Sequence, residues 1–169
     1  MIYYLAYGSN LHPLRLTARI TTARLIGTVA LRGFDISFSK RGDYGSGKCR
    51  IFATTDEDVA LCALYSLAEN QLPALDAIEG LGYEHKELTV ECNGSVYNTI
   101  TYVASATHID DGLKPHHWYK GIVLAGVRYH GFPAKYVQKI LAVDSLEDPD
   151  HRRRHKNELL LAQLQKPYA

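Results

Sequence analysis

This sequence lacks most of the features that assign a chain to a special class of protein. It has one tryptophan, one methionine and three cysteines in 169 residues. No apolar run approaches the ~20 residues of a membrane-spanning helix, and no basic segment followed by an apolar stretch marks a signal peptide. The formal net charge of +1 gives no overall attraction to polyanions. We therefore expect a cytoplasmic protein with neither a membrane nor a nucleic acid as its partner.

The potential metal ligands and thiols are also sparse. Cys49, Cys62 and Cys92 are widely spaced and form no Cys-x-x-Cys pair, so their strand-like surroundings predict buried, reduced thiols. His151 and His155 would share one face of a helix, but no third ligand accompanies them. We predict no metal site.

Strand patterns come first along the chain and helical patterns follow. Alternating or fully apolar segments predict strands at 23–31, 33–39, 59–67, 87–91 and 96–103. The last two flank an Asn-Gly pair, which is a strong hairpin signal. After Pro115 an apolar stripe predicts one helix, and Pro133 opens a second that runs to Leu141. This order predicts an α+β chain with a curled or barrel-like sheet.

The segment Tyr7-Gly8-Ser9-Asn10-Leu11 is the most informative part of the N-terminal region. It follows a strand-like run of apolar and aromatic residues and precedes a helix start. Gly8 allows a close backbone approach or a positive φ, and Ser9 and Asn10 suit turn and capping positions. The backbone N–H groups of such a turn can hold a carboxylate or phosphate. An ordinary strand-to-helix turn explains the same residues, so the motif alone leaves both interpretations open.

Glu79 is predicted to lie at the C-terminal end of a short helix. Leu72, Leu75 and Ile78 recur at a spacing of three residues, and Gly80 suits the position after the last turn. The negative end of the helix dipole and apolar neighbours both disfavour an ionised carboxylate there. Both effects raise the pKa of the carboxyl towards general acid–base use. A solvated surface acid near a frayed helix end is the alternative.

The combination of these segments resembles the γ-glutamylcyclotransferase-like family, which includes AIG2-like proteins. That family has a Tyr-Gly-Ser-Asn turn, here at 7–10, and a Glu-Gly element after a Leu-Asp-containing helix, here at 75–80. Residues 115–119 and 131–136 resemble its Pro-x-x-x-Tyr and Gly-Leu-Pro-x-x-Tyr patterns. The resemblance spans residues 1–141 and implies a mixed β-barrel with flanking helices.

The resemblance implies an enzyme that needs no cofactor. The α-amine of a γ-glutamyl group attacks its own γ-carbonyl, and the reaction releases 5-oxoproline and a free amine or amino acid. The expected partner is therefore a small γ-glutamyl compound. By resemblance Glu79 is the catalytic general acid and base. The substrate-binding residues implied are Tyr7, Gly8, Ser9, Asn10, Leu11, Tyr83 and Tyr119.

The resemblance also implies roles within the site. The turn would hold the substrate's α-carboxylate and polarise its γ-carbonyl through backbone N–H groups. Tyr83 and Tyr119 would orient Glu79 or the substrate through phenolic hydrogen bonds. The sequence departs from the family pattern at Phe132, where leucine is frequent, and at 85–86, near the usual Tyr-x-Arg. These departures leave the leaving amine open, with the segment 40–48 and the surroundings of His85 as the expected pocket walls.

Two other functions remain as alternatives. Ser9 lies in a sharp turn, as some nucleophilic serines do, but it lacks the Gly-x-Ser-x-Gly setting. A small-metabolite-binding domain could keep the same fold and pocket without turnover. The glycine-rich segment 40–48 is either a pocket lid or a plain surface loop between strands.

The C-terminal region is predicted to be separate from the rest. We divide the chain into a γ-glutamylcyclotransferase-like domain at 1–145 and a helical extension at 146–169. The run Arg152–Arg154 could contact an anion, although a solvated charge run is the favoured interpretation. The apolar tail 158–164 would dock either on its own domain or on a second copy, which would make a homodimer.

Overall fold

Strands come first and helices later in the computed structural model, which describes residues 1–55 and 57–167. The strands are β1 (Ile2–Ala6), β2 (Arg24–Arg32), β3 (Phe34–Arg41), β4 (Gly47–Ala53), β5 (Val59–Leu67), β6 (Tyr83–Cys92) and β7 (Ser95–Ala104). The helices are α1 (Pro13–Arg19), α2 (Leu72–Glu79), α3 (His117–Tyr129), α4 (Ala134–Leu141) and α5 (His151–Leu164). The predicted α+β class is confirmed.

Five of the strands form one mixed sheet in the order β2-β5-β1-β7-β6. Strand β1 lies at its centre, antiparallel to β5 and parallel to β7. Strands β3 and β4 form a separate antiparallel hairpin. The first turn of the chain therefore leaves the middle of the sheet, where neighbouring strands surround it.

The sheet is curled, but it is not the closed barrel that the family resemblance implied. Its edge strands approach each other where β6 ends: Asn93 Nδ2 donates to the carbonyl of Ile26 at 3.0 Å, and Cys92 Sγ lies 3.6 Å from the carbonyl oxygen of Thr28. No strand ladder joins β2 to β6 within 1–55 and 57–167. The sheet stays open because side chains, not paired backbones, connect its two edges.

The predicted Asn-Gly hairpin is confirmed. Asn93 has a φ of 51° and Gly94 a φ of 76°, so both central residues adopt the left-handed conformation of a tight hairpin turn. Pairing continues outward from the turn until Tyr83 faces Ala104. Both strands are longer than predicted. The exposed polar residues of β6 interrupt the alternation of apolar and polar residues on which the prediction rested.

The two ends of the segment 40–48 are strand, and only its centre is the loop between strands that the glycines predicted. Lys40 pairs with Lys48 and Arg41 with Gly47, so only residues 42–46 form the turn. Lys40 is 1% exposed. The glycines suggested a loop, but the β3–β4 ladder resumes after an irregularity in its register and carries both strands further.

Strand β5 is buried on both faces, as its apolar run predicted. Leu64 and Tyr65 are fully buried in a core shared by the sheet, the β3–β4 hairpin and α3. Cys49, Cys62 and Cys92 are free and buried, as expected. Burial raises the pKa of the Cys62 thiol to about 12, so it remains protonated at neutral pH.

Helix α5 docks on the protein's own α3. Leu160, Leu161 and Leu164 pack against Ile122 and Ala125. The tail therefore covers an apolar face of the same chain, which is one of the two predicted outcomes. The proposed division at 145 remains a prediction, and Tyr168 and Ala169 of the predicted extension lie outside the described residues.

The basic run on α5 is only partly solvated. Arg152 is exposed, as expected, but Arg153 pairs with Asp148, whose side chain is fully buried. Asp148 also accepts a hydrogen bond from Trp118 Nε1 at 2.9 Å and one from Arg153 Nε at 2.6 Å. The solvated interpretation is wrong for Arg153, because this pair anchors α5 to α3.

The histidines of α5 do not belong to a metal-ligand cluster within residues 1–55 and 57–167. His151 and His155 are both exposed, and no group of three or more metal-ligating side chains occurs in this part of the chain. None of its helices combines the length and apolar character needed to span a membrane.

Candidate active site

Helix α2 presents Glu79 at its last position. Leu75 is fully buried and fixes the helix to the core, and Pro73 lies in the first turn. The helix ends at Gly80, which has a φ of 77° and donates its N–H to the carbonyl of Asp76 at 2.9 Å. The predicted helix and its end are confirmed, so the Glu79 carboxyl extends from a fixed point.

A small cavity of about 20 Å³ lies beside this carboxyl. Every predicted site residue except one lines it, namely Tyr7, Gly8, Ser9, Asn10, Glu79, Tyr83 and Tyr119. The exception is Leu11, which is fully buried in the core. Three further residues complete the lining: Tyr4, Cys49 and Tyr102.

One oxygen of Glu79 is held by two neutral donors. Tyr4 Oη donates to Oε1 at 3.0 Å, and Asn10 Nδ2 donates to the same oxygen at 2.8 Å. No hydrogen bond from the described residues reaches Oε2. The carboxyl is therefore oriented through one oxygen, and the other remains available to a ligand in the cavity.

The surroundings of Glu79 shift its proton affinity upward. Burial raises the pKa of its carboxyl above the ordinary value, and the hydrogen bond from Tyr4 and the positive charge of Arg19 oppose this rise. The direction agrees with the sequence-based expectation. A carboxyl with a raised pKa and one free oxygen can both accept and return a proton.

Arg19 connects to Glu79 through Asn10. Its Nη1 donates to Asn10 Oδ1 at 3.1 Å, while Asn10 Nδ2 donates to the Glu79 carboxylate. The amide of Asn10 is thus fixed from both ends, which determines its orientation. Sequence reasoning found Asn10 but missed Arg19, because only the fold brings α1 beside α2.

The N-terminal motif forms a turn, not a helix cap. Leu11 N donates to the Gly8 carbonyl at 3.0 Å, and His12, not Ser9 or Asn10, occupies the N-cap position of α1. Within the described residues, no hydrogen bond is formed by the backbone N–H groups of Ser9 and Asn10. Two unpaired donors at a cavity wall can bind a carboxylate or a polarised carbonyl oxygen.

Gly8 is required by close packing. It does not have a positive φ, but a Cβ added to it would lie 2.8 Å from Cys49 Cβ on β4. Of the two properties proposed for this glycine, close approach is the one that the fold uses. The turn and β4 therefore meet directly beneath the cavity.

The site tyrosines bond to backbone and not to Glu79. Tyr83 Oη donates to the Cys49 carbonyl at 2.5 Å, and Tyr119 Oη accepts from Cys49 N at 3.0 Å. Tyr7 Oη donates to the Tyr102 carbonyl at 2.6 Å. These three bonds fix the cavity walls. The phenol that contacts Glu79 is Tyr4, which sequence reasoning missed.

Two groups of contacts outside the cavity fix α2 and the loop after it. Tyr102 Oη donates to Asp76 Oδ1 at 2.5 Å, and His85 Nε2 lies 2.7 Å from the same oxygen. Lys40 Nζ donates to the Leu81 carbonyl at 2.6 Å. His85 does not line the cavity, although its surroundings were expected to form a pocket wall. Lys40 was missed because its glycine-rich neighbours suggested a loop.

The AIG2-like family model matches residues 39–140, which is more than half of the chain. The chain belongs to the AIG2-like family. The matched region contains Glu79, Tyr83 and Tyr119, while the Tyr-Gly-Ser-Asn turn precedes it. The resemblance that the sequence motifs predicted is confirmed.

Solved structures share the fold of this AIG2-like protein. One described as a gamma-glutamyl cyclotransferase is 23% identical, with a TM-score of 0.81 and coverage of 96% of this chain and 98% of the other. An uncharacterised protein from Homo sapiens is 22% identical, with a TM-score of 0.79 and coverage of 95% and 98%. An AIG2-like protein from Mus musculus is 17% identical, with a TM-score of 0.51 and coverage of 69% and 86%. No match is found among curated protein sequences.

Proposed function

We propose that this AIG2-like protein is a γ-glutamylcyclotransferase-type enzyme. In the proposed reaction the α-amine nitrogen of a γ-glutamyl compound bonds to its own γ-carbonyl carbon, and the bond from that carbon to the leaving nitrogen breaks. The products are 5-oxoproline and a free amine or amino acid. The observation that carries the proposal is the Glu79 carboxyl, held through one oxygen and free at the other, in a cavity lined by the turn at 7–10.

Glu79 would move the protons of this reaction. The attacking nitrogen loses a proton as the ring closes, and the leaving nitrogen gains one as its bond to carbon breaks. A single carboxyl can take the first proton and supply the second, so no net proton is consumed at that residue. The raised pKa of Glu79 suits both steps, because it narrows the gap in proton affinity between the carboxyl and the nitrogen atoms.

The turn would supply the electrostatic part of catalysis. Negative charge develops on the γ-carbonyl oxygen when the amine attacks, and unpaired backbone N–H groups such as those of Ser9 and Asn10 stabilise such charge. The substrate's α-carboxylate is the second group that these donors suit. Because the nucleophile is part of the substrate, holding the curled conformer supplies much of the acceleration.

The arrangement does not support hydrolysis by Ser9. A serine nucleophile needs an adjacent base, usually a histidine that a third group orients. Among the described residues that line the cavity there is no histidine. Glu79 is the base available, and it suits proton transfer to and from the substrate's own nitrogen.

Mass-spectrometric detection of 5-oxoproline tests the proposal. The purified protein and its Glu79→Gln variant are incubated with a panel of γ-glutamyl compounds. General acid–base catalysis contributes about 10²- to 10⁴-fold, so we expect the variant to lose at least about 100-fold in turnover. The variant should stay folded at pH 7, because the neutral amide avoids the burial of an ionised carboxylate.

The outcomes of this test are distinct. A Glu79→Gln variant with near wild-type turnover would remove Glu79 from the mechanism. A folded wild-type protein that is thermally stabilised by a γ-glutamyl compound but never forms 5-oxoproline would be a metabolite-binding domain instead. Product from the wild type alone would support the proposed reaction and identify its leaving amines.

A further inference from the structure

A wide groove connects the Glu79 cavity to the protein surface. It has a volume of about 860 Å³ and is bordered by α1, the β3–β4 hairpin and α5. Ser9, Glu79, Tyr83 and Tyr119 line both the groove and the cavity, so the two spaces are continuous. A γ-glutamyl group that fills the cavity would therefore extend its leaving portion into the groove.

The ionisable lining of this groove is mostly basic. Apart from Glu79, its only carboxylate among the described residues is Asp150, which lies 3.8 Å from Arg153. Arg153 is further neutralised by Asp148. The remaining cations, which we call the groove cations, are Arg15, Arg19, Lys48, Arg152 and Lys156.

None of the groove cations forms a salt bridge within the described residues, although the charge of Glu79 acts on Arg15, Arg19 and Lys48 from a distance. Within 1–55 and 57–167, no carboxylate oxygen lies within 4.0 Å of a nitrogen of any of the five. They come from α1, β4 and α5, and all five line the groove, so their charges act on one space. A cleft lined by one sign of charge concentrates ligands of the opposite sign.

Arg15 is the strongest sign that an anion belongs here. It is 6% exposed, and its buried Nε has no hydrogen-bond partner among the described residues. Burial lowers its pKa to about 10, so the guanidinium stays charged at neutral pH. Arg19 lies one helical turn further along α1, and like charges at that spacing repel each other. A carboxylate bound in the groove would reduce this repulsion and add a counter-charge beside Arg15.

We propose that the groove selects γ-glutamyl compounds whose leaving portion carries negative charge, with a dicarboxylate such as glutamate preferred. This inference rests on the proposed cyclisation, because the leaving portion is defined by it. Preference should increase from γ-glutamylethylamide to γ-glutamylalanine to γ-glutamylglutamate, whose leaving portions carry zero, one and two carboxylates. A lysine attached through its side-chain nitrogen should be a poorer leaving portion than alanine, since its α-ammonium group offsets the negative charge of its single carboxylate.

The test measures kcat/KM for these three compounds with the wild type and an Arg152→Gln/Lys156→Gln double variant. Both side chains are exposed on α5, so the substitutions should not affect folding. An exposed ion pair contributes up to about fivefold, so removing two cations should reduce the ratio of kcat/KM for γ-glutamylglutamate to that for γ-glutamylethylamide by up to about 25-fold. Lys135→Gln, which removes an exposed charge from α4 outside the groove, is the matched control and should leave this ratio unchanged.

Three results would overturn the inference while leaving the cyclisation intact. One is a wild-type protein that prefers γ-glutamylethylamide or treats all three compounds alike. Another is a double variant whose kcat/KM falls by the same factor with every compound. The third is a preference for γ-glutamylglutamate that does not decrease at high salt, since charge selection across a solvated groove must be screened.

Failure of the proposed cyclisation would be seen separately, as absence of 5-oxoproline with every compound. The rise in unfolding temperature on adding each compound then tests whether the groove binds anions. Greater stabilisation by γ-glutamylglutamate than by γ-glutamylethylamide, reduced in the Arg152→Gln/Lys156→Gln variant, would support the groove as an anion-selective binding site. Equal stabilisation by the two compounds would overturn the inference that the groove selects anions.

Discussion

Replacing Tyr4 with phenylalanine should shift the pH dependence of the proposed reaction. Tyr4 Oη donates to Glu79 Oε1 at 3.0 Å, and this bond opposes the rise in the pKa of Glu79. Its removal should therefore raise that pKa further. Since Glu79 must be ionised to accept a proton from the substrate, the acidic limb of kcat/KM should move to higher pH.

The size of the shift follows from the bonds that remain. A hydrogen bond to a charged group contributes roughly 1.5–3 kcal/mol, and about 1.4 kcal/mol changes a pKa by 1. Asn10, which donates to the same oxygen at 2.8 Å, remains in the variant. The lower end of the energy range therefore applies. We expect the acidic limb to move up by about 1 pH unit.

The assay is 5-oxoproline release at low substrate concentration across pH 4–8. Tyr97→Phe is the matched control, because Tyr97 packs on Tyr3 and does not line the cavity. The same pKa can be followed without activity as the carboxyl ¹³C shift of Glu79, assigned by its absence in Glu79→Gln. A Tyr4→Phe variant with an unmoved or lowered acidic limb would refute the reasoning, even if its rate fell.

Two further predictions concern the scaffold. Gly8→Ala should destabilise the protein by about 1–3 kcal/mol in urea unfolding, because its Cβ would lie 2.8 Å from Cys49 Cβ. Adding Cys49→Gly should recover part of the loss, and no recovery would exclude this clash as the cause. Asp148→Asn should lower the free energy of unfolding at pH 7 by about 3 kcal/mol, because it leaves Arg153 without its buried partner. Arg153 holds the pKa of Asp148 below its ordinary value, so this stability is complete above about pH 4 and is lost as the pH falls further. A difference between wild type and variant that does not shrink at pH 3 would contradict the assignment.

Local signals were sufficient to place the acid of the site. Leucine spacing, a proline in the first turn and a glycine after the last turn fixed helix α2, and Glu79 occupies its last position as predicted. The Asn93-Gly94 hairpin was also predictable from local sequence. Both residues adopt a positive φ, which few other residue types tolerate. These features depend on residues that are neighbours in the sequence.

Local signals misled where a distant element decided the conformation. The glycines of 40–48 suggested a loop throughout, yet pairing between β3 and β4 includes residues 40–41 and 47–48, and Lys40 is buried. Arg153 was interpreted as solvated because the carboxylate that binds it, Asp148, is buried against Trp118 on α3. The curled sheet remains open because its edges meet through side chains, and the sequence carries no signal of that.

The sequence by itself determined the family, the α+β class and most of the residues that meet in the cavity. Each of these follows from short motifs, because turns, caps and hairpins depend on nearby backbone conformation. Only the tertiary structure decided that Tyr4 and Asn10 hold Glu79, and that Arg15 and Arg19 of α1 line the same groove as α5. Contacts between residues so far apart in sequence depend on how the strands are ordered and the helices packed, which no local pattern encodes.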